Sequence, residues 1–200
     1  MEHKFILASS SPRRKYLLSM LFSNFGLNFD IIPANISEYI PKNATNYKDL
    51  VQGYAEQKAL KVARNYEGIV IGADTIVVLG NRILGKPKGD KESKIMLRKL
   101  SGKWHEVYTG VTIICSPENK IFKDYEVTRV KFRKISKEEI DFYTTTGSPL
   151  DKAGGYGIQD DFGSTFVEKI EGDYFTVVGL PVLKTYLGLR KLVPDLKLIV

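Results

Sequence analysis

The chain is poor in cysteine and histidine and has no long hydrophobic run, and each shortage removes a class of protein. Cys115 is the single cysteine among 200 residues, so neither an intrachain disulfide nor a cysteine-rich zinc site can form. It lies in the apolar run Thr112-Ile113-Ile114-Cys115, where a small buried strand residue is expected. Only four apolar residues in a row, Phe5 to Ala8, precede the first serines, too few for a signal-peptide core or a membrane span. Residence in the cytoplasm with no membrane partner is therefore expected. The two histidines, His3 and His105, are far apart in sequence, which disfavours a histidine metal site and a Ser/His/Asp triad. A structural hydrogen bond is the expected use of His105. Also missing are a glycine-rich loop ending in Lys-Ser/Thr and a strand-to-helix Gly-x-Gly-x-x-Gly, the signatures of the two commonest nucleotide folds.

What the chain does have is positive charge and a sizeable apolar fraction. Net charge is +7 and hydrophobic residues make up 43%, enough to bury a real core in one domain spanning residues 1–200. Excess positive charge suits an anionic ligand. The basic residues alternate with acids, however, and no basic, aromatic-interleaved surface motif is present, so nucleic acid is not expected as the main partner.

The pattern of elements is mixed. Lys4 to Ala8 predicts a short strand, and Ser11-Pro12 caps a helix carrying Tyr16, Leu17, Leu18, Leu21 and Phe22. Phe29 to Pro33 predicts a second strand. From Asn46 an amphipathic helix carries Leu50, Val51, Tyr54, Ala55, Ala59 and Val62 at helical spacing. Ile69 to Leu79 is a β-branched run bounded by Gly68 and Gly80-Asn81, a central strand that turns back through Ile83-Leu84. Asp90 is placed to cap a helix to Leu100, and Val107 to Cys115 and Ile121 to Phe132 predict a hairpin. Ser136-Lys137-Glu138-Glu139 has capping-box spacing and opens a helix to about Tyr143. A strand is expected over 165–170, and a last helix from Leu180-Pro181. Helices interleaved with strands around a central hairpin predict an α/β fold, a twisted mixed sheet with helices on its faces.

Four segments could carry chemistry. Leu7-Ala8-Ser9-Ser10-Ser11-Pro12-Arg13-Arg14 delivers a helix N-terminus beside three hydroxyls and two guanidinium groups, a good phosphate setting that is equally a plain capped helix. Gly72-Ala73-Asp74-Thr75 puts a carboxylate inside an apolar strand, where it is costly unless paired, bound to a metal or used on water. Gly85-Lys86-Pro87 fixes a lysine at a strand exit, a point charge for phosphate. Lys58, beside Ala55 and Ala59, could point inward, though a solvated helix lysine is the plainer expectation. In Leu150 to Gln159, three glycines permit close backbone approach, Asp151 and Lys152 supply both signs, and Tyr156 and Gln159 could stack on a base and read its edge.

Taken in this order, with Ser101-Gly102, His105, Val107, Thr109-Gly110, Gly172-Asp173-Tyr174 and Val177 to Pro181, these blocks resemble the Maf family of nucleoside triphosphate pyrophosphatases. They span nearly the whole chain. The resemblance implies the family's elongated Maf/ITPase-like fold with two lobes and a central cleft, often as a homodimer. It implies hydrolysis of a small-molecule nucleoside triphosphate between the α and β phosphates, with Mg²⁺ or Mn²⁺. The catalytic acid of the family matches Asp74, and its specificity positions match Arg13, Thr75 and Gln159. Ser9, Arg14, Lys58, Lys86 and Lys152 match phosphate contacts, and Glu38, Asp74 and Asp151 match metal contacts. Ser-Pro-Arg-Arg, Gly-Ala-Asp-Thr and Asp-Lys-Ala-Gly with Gly-Ile-Gln resemble the subgroup acting on dTTP and UTP, and leave open whether a modified pyrimidine nucleotide is the target. One departure is Ser148, where many relatives carry a glutamate, so Asp151 or Glu38 is expected to compensate. A non-catalytic, nucleotide-binding regulator of cell division is the alternative, because family members are linked with septum formation.

Overall fold

The computed structural model describes residues 3–36, 45–116, 118–160, 162–194 and 196. The described strands are β1 (Phe5–Leu7), β2 (Asp30–Ile31), β3 (Ile69–Leu79), β4 (Arg82–Leu84), β5 (Trp104–Cys115), β6 (Lys120–Phe132) and β7 (Val167–Glu171). The helices are α1 (Pro12–Ser23), α2 (Tyr47–Ala63), α3 (Asp90–Leu100), α4 (Lys137–Thr145), α5 (Tyr174–Val178) and α6 (Val182–Leu192). Three short 3₁₀ turns fill Ser148–Asp151, Ala153–Gly155 and Gly163–Phe166.

One seven-stranded mixed sheet runs in the order β2-β1-β3-β5-β6-β7, with β4 pairing β3. β1 is parallel to both β2 and β3, with Ile6 opposite Asp30 and Val70. β4 returns antiparallel on β3, pairing Val77 with Leu84, and β7 is antiparallel to β6. Residues 116–119 alone join the neighbours β5 and β6, too short for a parallel crossover, so the expected hairpin forms. The expected α/β class with helices flanking a mixed sheet is what the chain adopts.

By its contacts the chain divides into two compact units, residues 1–74, 109–126 and 179–200 in one and residues 75–108 and 127–178 in the other. In the first unit, Ile6, Ala8, Ala59, Val62, Val70 and Ile114 form an aliphatic core between the sheet and α2. Helix α2 lies so close to the sheet that a side chain on Gly72 would fall on the Ala55 carbonyl oxygen, and one on Gly110 on that of Val51. The core of the second unit is aromatic: Phe132 packs edge-on against Tyr156 at 4.7 Å, and Tyr143 against Phe166 at 5.1 Å.

Local signals placed most element ends. Ser11 caps α1, Asn46 caps α2, and Ser136 and Glu139 form the full capping box of α4. Four expectations shift. The second strand shrinks to two residues, and β5 begins at Trp104, three residues earlier than expected. Asp90 is the first residue of α3, not its cap: Gly89 holds that position, and Lys88 N donates to Glu92 Oε2 instead. Thr165 and Phe166 belong to a 3₁₀ turn, so β7 starts at Val167. Among the described residues no helix is long and apolar enough to cross a membrane.

Candidate functional site

In the first unit, β1 ends at Leu7 and the chain continues beside β3, where Ala8 N donates to Ile71 O at 2.8 Å. This delivers Ser9, buried, to the start of α1. Ser9 Oγ accepts from Ser11 N at 3.2 Å and from the Arg14 guanidinium at 3.3 Å. Arg14 Nε also donates to Gly179 O at 2.8 Å, so the fork is held in place rather than waving in solvent. Arg13, half-buried, and the exposed Ser10 lie on the same opening turn. Helix α1 offers the positive end of its dipole here.

The most telling contact in this unit is between α2 and β3. Lys58 Nζ donates to Asp74 Oδ1 at 2.5 Å, with Lys58 8% exposed and Asp74 4% exposed. The inward placement of Lys58 is therefore the one adopted. Alanines on either side of Lys58 and Gly72 on the strand bring the two backbones together, which is what lets the ammonium reach the carboxylate. Burying a charge pair costs several kcal/mol per ion before the mutual attraction is counted, so the pair adds little net stability to the fold.

In the second unit, Gly154 N donates to Gly85 O at 3.0 Å, tying the Gly85-Lys86-Pro87 turn to the Asp151 to Gln159 segment. Lys86 itself is exposed, and Thr75 is half-buried on β3. Lys152 is buried, and its ammonium meets Ser148 O at 2.7 Å, Asp151 Oδ1 at 2.8 Å and Asp160 Oδ2 at 3.2 Å. Three donors are thereby engaged by protein. Gln159 is exposed, with Nε2 donating to Asp160 Oδ1 at 2.8 Å.

One expectation needs correcting here. Tyr156 cannot stack on a base: it is 5% exposed, packed on Phe132, with its hydroxyl 2.7 Å from His105 Nε2. Burial drives its phenol well above the usual range. His105 is thus structural, as expected, and burial lowers its pKa to about 4. Ser148 Oγ donates to Asp160 Oδ2 at 2.5 Å. Glu38 lies outside the described residues. Asp160 was missed in the sequence because it falls just past the glycine-rich block, and its partners Tyr143, Ser148, Lys152 and Gln159 are gathered only by the fold.

Among the described residues no group of three or more His, Cys, Asp and Glu gathers to hold a metal ion. The donors present still fit a hard cation carried largely by a triphosphate. Mg²⁺ in such sites keeps waters and takes only one or two protein carboxylates. Asp74, buried on β3, and Asp151, exposed, are carboxylates of the kind such a cation takes.

A dTTP/UTP pyrophosphatase of Aquifex aeolicus (strain VF5) is 50% identical over 190 residues, covering 94% of this chain and 94% of that one. A dTTP/UTP pyrophosphatase of Bacillus pumilus (strain SAFR-032) is 50% identical over 184 residues, covering 92% and 93%. Another, of Thermosipho africanus (strain TCF52B), is 49% identical over 183 residues, covering 92% and 90%. The family described as Maf-like protein matches residues 4–192. With relatives at this identity over nearly the full length, the chain belongs to the Maf-like family.

Proposed function

We propose that the chain is a dTTP/UTP pyrophosphatase of the cytoplasm, an acid anhydride hydrolase that converts a pyrimidine nucleoside triphosphate to the monophosphate and pyrophosphate. The observation that carries this reading is the buried Lys58–Asp74 pair, a carboxylate inside an apolar strand with an ammonium 2.5 Å from its Oδ1. The names of the relatives at about half identity support the substrate class.

In this reading Asp74 orients a water molecule and accepts its proton as the oxygen attacks the α-phosphorus. The bond from that phosphorus to the bridging oxygen breaks, and pyrophosphate leaves. Lys58 holds the Asp74 carboxylate in one orientation through the reaction. Ser9, Arg13 and Arg14 bind phosphate oxygens at the N-terminus of α1, and Lys86 and Lys152 add positive potential. Arg13, Thr75 and Gln159 select the base. Asp74 and Asp151 are the described residues that would hold Mg²⁺ or Mn²⁺, with Glu38 as a third candidate. When bound, the ion neutralises charge on the phosphate oxygens. Positioning and electrostatic stabilisation supply most of the rate enhancement in such transfers.

The test is pyrophosphate release from a panel of nucleoside triphosphates, with Mg²⁺ and with chelator. Turnover of dTTP and UTP well above purine triphosphates, lost on chelation, is expected. Tight nucleotide binding without turnover would point to the regulatory alternative.

A further inference from the structure

We propose that Asp160 fixes which way round the Gln159 side-chain amide faces and thereby sets the choice between uracil or thymine and cytosine. The inference rests on the pyrimidine pyrophosphatase reading above. An ionised carboxylate can only accept hydrogen bonds. The Gln159 atom 2.8 Å from Asp160 Oδ1 is therefore the donating Nε2, and an amide turned over would set two acceptors against each other. The order of groups on the outward edge of Gln159 follows: Oε1 as acceptor and the second N–H as donor.

Asp160 is itself immobile enough to impose that order. Its Oδ2 accepts from Ser148 Oγ at 2.5 Å and from Tyr143 OH at 2.9 Å, and pairs with Lys152 Nζ at 3.2 Å. Its carboxylate fills the space a side chain on Gly157 would need. The Asp160 side chain is 15% exposed, whereas Gln159 is open to solvent. A half-buried, well-bonded clamp thus carries one exposed amide.

Uracil and thymine present an N3–H donor beside carbonyl acceptors, while cytosine presents an N3 acceptor beside an amine donor. An amide free to turn over serves either base in the same placement. A locked one serves only the first and opposes like groups against cytosine. Asp160 is in this account a positioning residue that acts through Gln159.

The experiment compares kcat/KM for UTP and CTP in the wild type, Asp160→Asn, Gln159→Ala and the double variant. Asn is nearly isosteric and can present a donor or an acceptor to Gln159, so it releases the lock. The UTP-to-CTP ratio is expected to fall by about tenfold or more in each single variant, with no further fall in the double. Rates on both substrates falling together with an unchanged ratio, or a further fall in the double, would overturn the assignment. Should Asp160→Asn not fold, Tyr143→Phe removes one donor to the clamp: a smaller fall in the ratio supports the lock, and an unchanged ratio overturns it. A wild-type chain that turns over UTP and CTP equally overturns the lock alone. One that cleaves no pyrimidine triphosphate overturns the reading of the reaction, and the lock with it.

Discussion

Removing either half of the Lys58–Asp74 pair should damage the fold as well as the chemistry, and removing both should repair the fold alone. The contact is 2.5 Å, and the two side chains are 10% and 6% exposed, so solvent screens it little. Breaking a buried pair by deleting one partner typically costs about 3–5 kcal/mol, because the remaining charge is stranded. At roughly 2–4 °C per kcal/mol for a chain of this size, Asp74→Asn or Lys58→Met should lower the thermal midpoint by about 6–20 °C. Lys58→Met combined with Asp74→Asn removes both charges of this contact together and should recover part of that loss. Pyrophosphate release should separate the two effects, since Asp74→Asn should reduce kcat by about 10²–10⁴-fold and the double variant should stay as slow. Thermal unfolding followed by circular dichroism, run beside the activity assay, is sufficient. A double variant no more stable than the worse single variant would refute the coupled-pair reasoning, and an Asp74→Asn enzyme of normal kcat would refute the role of Asp74.

Three other substitutions follow from the same geometry. Gly72→Ala would push β3 off the Ala55 carbonyl of α2 two residues before Asp74, costing about 1–3 kcal/mol and lowering kcat; denaturant unfolding and kinetics read both. Arg14→Lys keeps the charge but loses the fork that spans Gly179 O and Ser9 Oγ, so KM for the nucleotide should rise more than kcat falls in steady-state assays. His105 has its pKa lowered to about 4 by burial, so the unfolded chain binds a proton that the folded one refuses as pH falls below about 6.5. Stability should therefore decline by up to about 3 kcal/mol between roughly pH 6.5 and 4, and unfolding curves of His105→Gln should be flatter over that window.

Features that depend on neighbours in sequence were legible. The Ser11-Pro12 start, the helix opening at Asn46, the box at Ser136 and Glu139 and both ends of β3 are each set within a few residues, and each is present as expected. The misread features depend on distant partners. β5 reaches back to Trp104 because that ring lies under Arg129 and Lys169, which come from β6 and β7. The five-residue α5, where Asp173 Oδ2 accepts from Thr176 N, is too short to show a helical period. Helical spacing put Lys58 on the face of Ala55 and Ala59 but could not reveal that Asp74, sixteen residues on, waited beneath it. Tyr156 shows the reverse error: three glycines around it suggested a ligand, and the fold used the space to pack it against His105 and Phe132.

Hydrolysis of dTTP and UTP with Asp74 at the reacting phosphorus is most directly tested by single-turnover release of pyrophosphate from dTTP and UTP by the wild type and by Asp74→Asn, at enzyme in excess and with Mg²⁺ present. One pyrophosphate and one monophosphate per nucleotide are expected for the wild type, and for Asp74→Asn a bound nucleotide cleaved about 10²–10⁴-fold more slowly. Equal release by the two, or orthophosphate in place of pyrophosphate, would contradict this reading.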